Sequence, residues 1–238
     1  MKNWKRPLRL AAAVLLVMAG TASQSHAGLL TIEFSNAGAF SGNAPPGSPG
    51  VYAKAVFDDG GGTGTVTLTM SVLSNLLVGA YVNDWYFNVD PGKALPGIAF
   101  SSGTAASSIT EGTDCCKADG VGGDYDIYFA FPTANPGQLA RNATSVYTLT
   151  GTGLTASSFD FLSTPKQDGG SYIGAVHVQG YNDSVWLGGT KGSNGGGGGG
   201  GGGGSGGEVP EPGSLLLVGL GLLSLGLGRK LRLGSKTE

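Results

Sequence analysis

The sequence predicts an all-β domain, an antiparallel β-sandwich of jelly-roll type with about eight to ten strands, followed by a C-terminal transmembrane sorting helix. Three observations point there. Apolar and hydroxyl residues alternate one for one in Thr65-Val66-Thr67-Leu68-Thr69-Met70-Ser71-Val72, so one face packs and the other is wet. Gly, Pro, Asn and Asp clusters interrupt the apolar segments at short intervals. No segment between Gly28 and Thr190 sustains a helical period over three turns.

The chain opens on a signal peptide, residues 1–27. Lys2, Lys5, Arg6 and Arg9 form a positive region, Leu10 to Ala19 an apolar one, and Ser25-His26-Ala27 supplies the small residues that signal peptidase needs. Cleavage between Ala27 and Gly28 leaves Gly28 as the mature N-terminus. No cysteine follows the apolar region, which excludes lipoprotein modification, and no twin arginine precedes it, which makes Sec the expected route.

The β domain spans residues 28–190, enough for a core of its own. Leu30, Ile32 and Phe34 repeat the alternation, as do Trp85, Phe87 and Val89, then Tyr125, Ile127, Phe129 and Phe131. Tyr147 with Leu149, Phe159 with Phe161, and Val176 with Val178 read as further strands, and Thr155 to Ser158 as at most a single helical turn. Gly- and Pro-rich stretches such as Gly38 to Gly50 read as loops. A sandwich of two sheets accommodates such strands, with a barrel as the alternative.

A linker follows at residues 191–207. Gly195 to Gly204 is unbroken glycine, with nothing to bury and a large entropy to lose on ordering. It reads as a tether. The last segment, residues 208–238, has three parts: Val209-Pro210-Glu211-Pro212-Gly213, an apolar run from Ser214 to Gly228, and the cations Arg229, Lys230 and Arg232. The run is shorter than the roughly 20 residues that span a bilayer comfortably and carries several glycines, which suits a transient membrane anchor. The cations behind it stay cytoplasmic, so the domain in front lies across the membrane.

That C-terminal pattern resembles the PEP-CTERM sorting signal of exported bacterial proteins. The resemblance implies processing near Val209, Pro210, Glu211 and Pro212 by exosortase, a membrane-embedded enzyme similar to a cysteine transpeptidase, in a Gram-negative-type bacterium that makes exopolysaccharide. Lys117 to Pro132, Ala175 to Gly180 and Trp186-Leu187-Gly188 are similar to stretches shared by uncharacterised proteins with the same signal. They bring no activity with them.

Between residues 28 and 194 six basic residues stand against thirteen acids. Such a balance offers no basic patch for nucleic acid or anionic lipid and leaves divalent cations and neutral glycans as ligands. Four aspartates, Asp114, Asp119, Asp124 and Asp126, lie among Gly120, Gly122 and Gly123, a composition that suits Ca²⁺ and equally a solvated acidic turn. Asp119, Asp124 and Asp126 are the candidate ligands. No other cofactor is implied. Cys115 and Cys116 are the only thiols, and in an oxidising compartment they either close on each other in a vicinal disulfide, stay free or pair with another chain.

After removal of His26 with the signal peptide, His177 is the single histidine, so a Ser-His-Asp or Cys-His site would have to use it. Lying between Val176 and Val178, it faces away from the valines and reads as a structural hydrogen-bonding group. A Gly-x-Ser-x-Gly match at Gly203 to Gly207 sits in the tether without the strand-turn-helix a nucleophile elbow requires. The sequence thus predicts a structural or adhesive surface protein and no enzyme. The alternative is a carbohydrate-binding module, with Tyr81, Trp85, Tyr181 and Trp186 as sugar contacts, against which core packing is the preferred account of these aromatics. A glycan hydrolase ranks below both.

Overall fold

The computed structural model describes residues 28–43, 50–119, 122–165 and 170–192. The expected signal peptide with Ala27, most of the glycine linker, and the sorting segment with Val209 to Pro212 and its helix lie outside the described residues. No helix among the described residues is long and apolar enough to cross a membrane.

Ten strands make up the domain: β1 (Leu29–Gly42), β2 (Val51–Asp58), β3 (Thr65–Val72), β4 (Tyr81–Phe87), β5 (Gly97–Gly103), β6 (Ser108–Lys117), β7 (Asp124–Ala130), β8 (Thr144–Thr150), β9 (Gly174–Gln179) and β10 (Val185–Lys191). One 3-10 turn, Ala156–Phe159, is the only helical element among the described residues. Every ladder is antiparallel, and hydrogen bonding links all ten strands in the order β5-β8-β3-β2-β1-β10-β9-β4-β7-β6.

The two layers of the sandwich are two wings of this one sheet. Phe57 of β2 meets Phe87 of β4 edge-on with centroids 5.2 Å apart, and Phe129 of β7 lies 4.9 Å from Tyr147 of β8. These pairs come from opposite wings, so the sheet curls back on itself around a shared core. The bend is built into β1. Its first half pairs with both β2 and β10, whereas Ala39, Ser41 and Gly42 pair with β10 alone after register shifts between Phe34 and Ser41. Bulges of this kind sharpen the local twist and turn a long strand from one layer into the next.

Buried faces follow the alternation. Val66, Leu68 and Met70 of β3 are fully buried and Thr65 and Thr67 exposed, as the sequence predicts. Trp85, Phe87, Ile127, Phe129, Val176 and Val178 complete the same core. Each such side chain contributes about 1.5–3 kcal/mol by leaving water. The open edges, β5 and β6, are consecutive in the chain and joined by residues 104–107. The Tyr147 hydroxyl accepts the Ala106 amide there at 2.7 Å, pinning the connection across the seam.

Three expectations change, and one choice between two readings is decided. Gly38 to Gly42 belong to β1 and not to a loop, because Gly38 and Gly42 let the backbone of β10 come close: a Cβ at either would strike the carbonyl of Gly188 or Ser184. Phe159 closes a 3-10 turn and Phe161 follows it without pairing, since Thr155 starts the turn, its amide donating to Ser158 Oγ at 3.1 Å. Trp85, open to core packing or sugar contact, takes the core place, fully buried between Phe34 and Phe87. Finally Tyr125 parts company with Ile127 and Phe129 and packs in a second cluster with Tyr86, Cys116, Ala118 and Ala175.

Candidate functional site

That second cluster belongs to the outer face of the wing β10-β9-β4-β7. On β9, Val176 and Val178 point into the core, which leaves His177 and Gln179 outside, and on β10 the same logic places Trp186 outside between Val185 and Leu187. Strict alternation along β4 would have put Asn83 with Tyr81 and buried Asp84. Instead Val82 pairs with Val178 and Asp84 with His177, so Asn83 is an extra residue in the ladder. The bulge turns Asp84 and Tyr86 outward while Val82 and Trp85 stay in the core.

Asp84 is the hub of the resulting network. Its Oδ1 accepts the Tyr128 hydroxyl at 2.6 Å, and its Oδ2 accepts the Asn83 amide at 2.5 Å and lies 3.1 Å from His177 Nδ1. An ionised carboxylate can only accept, so across this contact Nδ1–H is the donor. Nε2 is buried with no partner among the described residues. Gln179 Nε2 lies 3.0 Å from the same Nδ1, and the Tyr81 hydroxyl donates to Gln179 Oε1 at 3.2 Å.

Aromatic rings surround the hub. The His177 imidazole stacks on the Trp186 indole, 4.2 Å apart and 4° from parallel. Tyr86 stacks on Tyr128 at 4.7 Å and leans on Trp186 at 5.7 Å. Farther out Phe40 stacks on Tyr172 at 5.2 Å. Burial, followed by the negative charge of Asp84, pushes the Tyr86 phenol well above its usual range, and burial followed by the Asp84 hydrogen bond does the same for Tyr128. Both stay protonated donors.

Chemically this is an imidazole oriented by a carboxylate. His177 Nδ1 donates to Asp84, and a triad needs a hydroxyl or thiol at the far nitrogen. What the face does present is the partly exposed rings of Trp186, Tyr128 and His177 beside the Asp84 network, and aromatic surface beside polar groups is what sugar rings and other polar ligands use. Of the aromatics expected as contacts, Tyr81 and Trp186 lie on this face. Tyr181 sits at the β9–β10 turn, where its hydroxyl donates to the Asn43 carbonyl at 2.5 Å.

The aspartates take other roles. Asp126 accepts the amides of Val89 and Asp114, both at 2.9 Å, and Asp114 accepts the Thr164 hydroxyl at 2.7 Å. Asp124 is buried, with its backbone paired to Thr164, and Asp119 is exposed at positive φ. Asp119, Asp124 and Asp126 do not converge: among the described residues no three His, Cys, Asp or Glu side chains are grouped to hold a metal ion. Cys115 and Cys116 are joined to each other at the bulge where β6 slips against β7, between Glu111–Ile127 and Cys116–Tyr125. Cys116 is buried beside Tyr125 and Tyr86, while Cys115 is exposed.

Beyond the domain, residues 208–230 match the model of the PEP-CTERM protein-sorting motif. The chain carries a PEP-CTERM sorting motif. The match takes in Val209, Pro210, Glu211 and Pro212, the apolar run and the first two cations behind it. A PEP-CTERM motif marks an exported surface protein that exosortase targets, anchored transiently in the membrane before its release to the surface. No curated protein and no solved structure matches the chain.

Proposed function

We propose that this PEP-CTERM protein is a structural or adhesive component of the cell surface or extracellular matrix that associates with exopolysaccharide. The motif at residues 208–230 supports the reading, standing behind the glycine-rich linker at residues 191–207. Signal peptidase removes residues 1–27 after Sec export, and exosortase acts at Val209 to Pro212. The β domain serves as a displayed surface. Deleting Pro210 to Pro212 in the native host tests the proposal. The expected result is accumulation of tail-bearing protein in the inner membrane; tail-free protein reaching the surface as before would refute it.

A carbohydrate-binding role is the second reading, favoured by the face formed by His177, Trp186, Tyr86 and Tyr128. Purified host exopolysaccharide should then retain the protein, and Trp186→Ala should weaken retention about tenfold, since one stacked ring contributes roughly 1–1.5 kcal/mol. Equal retention of both proteins would remove this reading. Because Asp119, Asp124 and Asp126 do not converge, neither added calcium nor chelator should shift the melting temperature.

A further inference from the structure

Gly28 is the residue that the expected cleavage would make the N-terminus, and the structure places its nitrogen 2.7 Å from Asp59 Oδ1. The contact is reciprocal, because the Asp59 amide donates to the Gly28 carbonyl at 3.2 Å. Together they add one rung to the β1–β2 ladder beyond Leu29–Asp58.

Asp59 does more than close that rung. Its Oδ1 also accepts the Gly61 amide at 2.9 Å in the β2–β3 turn, and its Oδ2 accepts the Ala156 amide at 3.1 Å at the start of the 3-10 turn. One carboxylate thereby gathers the chain start, a hairpin turn and the 3-10 turn whose Phe159 stacks on Phe57 in the core, centroids 4.3 Å apart. Glycine at residue 28 leaves room for this carboxylate. A Cβ there would collide with the Asp59 carboxylate.

We propose that Asp59 is the receptor for the α-ammonium group released when signal peptidase cuts after Ala27, so that processing locks the N-terminal strand of the exported domain. The proposal rests on the signal-peptide reading of residues 1–27. In the precursor the nitrogen of residue 28 is a neutral amide with a single hydrogen to donate. After hydrolysis of the Ala27–Gly28 bond, water supplies the hydroxyl of the new Ala27 carboxylate, and the Gly28 amine takes up a proton and becomes a cation. The existing hydrogen bond then becomes a charge-assisted ion pair, shorter and stronger than its neutral counterpart. Three donors already converge on Asp59 and hold its carboxyl below the usual range despite the opposing effect of burial, which keeps it ionised for the cation. The folded domain is thereby more stable after export than before it.

The experiment uses the protein purified after export from the native host. N-terminal sequencing comes first, and a first residue other than Gly28 would defeat the signal-peptide reading separately from the latch. A variant with Ala-Ser inserted after Ala27, taken forward once the same sequencing shows that it starts at the inserted alanine, carries its ammonium two residues away from Asp59. With Asp59 present, the insertion should lower the unfolding midpoint by about 2–4 °C. With Asp59→Asn it should change the midpoint by much less, because the charge that the ammonium meets has gone. Equal effects of the insertion in both backgrounds, or none in either, would overturn the latch. Should Asp59→Asn fail to fold, transamination of the N-terminal glycine of the wild-type protein removes the same ammonium, and an unchanged midpoint would overturn the latch equally.

Discussion

Asp84 and His177 face each other across the β4–β9 ladder, Oδ2 to Nδ1 at 3.1 Å, and they do so because Asn83 is an extra residue in β4. Without the bulge Asp84 would point into the hydrophobic core, where an unpaired carboxylate is untenable. With it the carboxylate collects hydrogen bonds from Tyr128, Asn83 and His177 on the outer face. Asp84→Asn keeps the shape and loses the charge, and a hydrogen bond to a charged group contributes roughly 1.5–3 kcal/mol. Denaturant unfolding should show a loss of about that size, and an unchanged midpoint would mean that the network is not structural.

Gly42 has φ +79°, and a Cβ there would meet the Ser184 carbonyl across the β1–β10 ladder. Gly42→Ala combines backbone strain with a steric clash, so a destabilisation of about 1–3 kcal/mol is expected. Thermal unfolding measures it, and a variant as stable as wild type would show that β1 does not need its close approach to β10.

Alkaline pH should unfold the domain through its tyrosines. Burial, then Asp183 nearby, pushes Tyr181 up to about 12, and burial also raises Tyr86, Tyr125 and Tyr128. A folded pKa above the unfolded value means that the native state holds the proton more tightly. The contribution is complete below the unfolded pKa of about 10 and is lost as pH rises from there through the folded values. Tyrosinate absorbance followed against pH should show some phenols ionising only as the fold collapses. A single step near the free-tyrosine value, with the fold intact, would contradict this burial.

Cys115–Cys116 closes the smallest loop a disulfide can close, so it removes little entropy from the unfolded chain. Reduction should therefore move the melting temperature by no more than about 2 °C. The monomeric exported protein should be lighter than its reduced form by the mass of two hydrogens, and intermolecular dimers in its place would exclude the vicinal bond.

The face and the fold differ in how legible they are. His177 could be assigned to the side away from Val176 and Val178 because period two decides it within three residues. Its partner could not, since the Asn83 bulge leaves no mark in Tyr81-Val82-Asn83-Asp84-Trp85 and shows only once β9 lies alongside. Trp85 shares the packed face of Phe87 and Val89, as their alternation predicts. Strands β5 and β6 escaped notice because edge strands expose both faces and need no apolar alternation: Gly97 to Gly103 contains one half-buried residue and no buried one.

Local chemistry is what the sequence determined by itself. Period-two alternation set the β class, glycine and proline set the turns, and the Val209 to Pro212 motif with its apolar run and cations set the sorting address, because each depends on residues close together in the chain. Only the tertiary structure decided that the two layers are one curled sheet, that Asp84 meets His177, and that Asp59 holds Gly28. Those outcomes depend on register between strands far apart in the chain, and register is settled when whole faces are buried together.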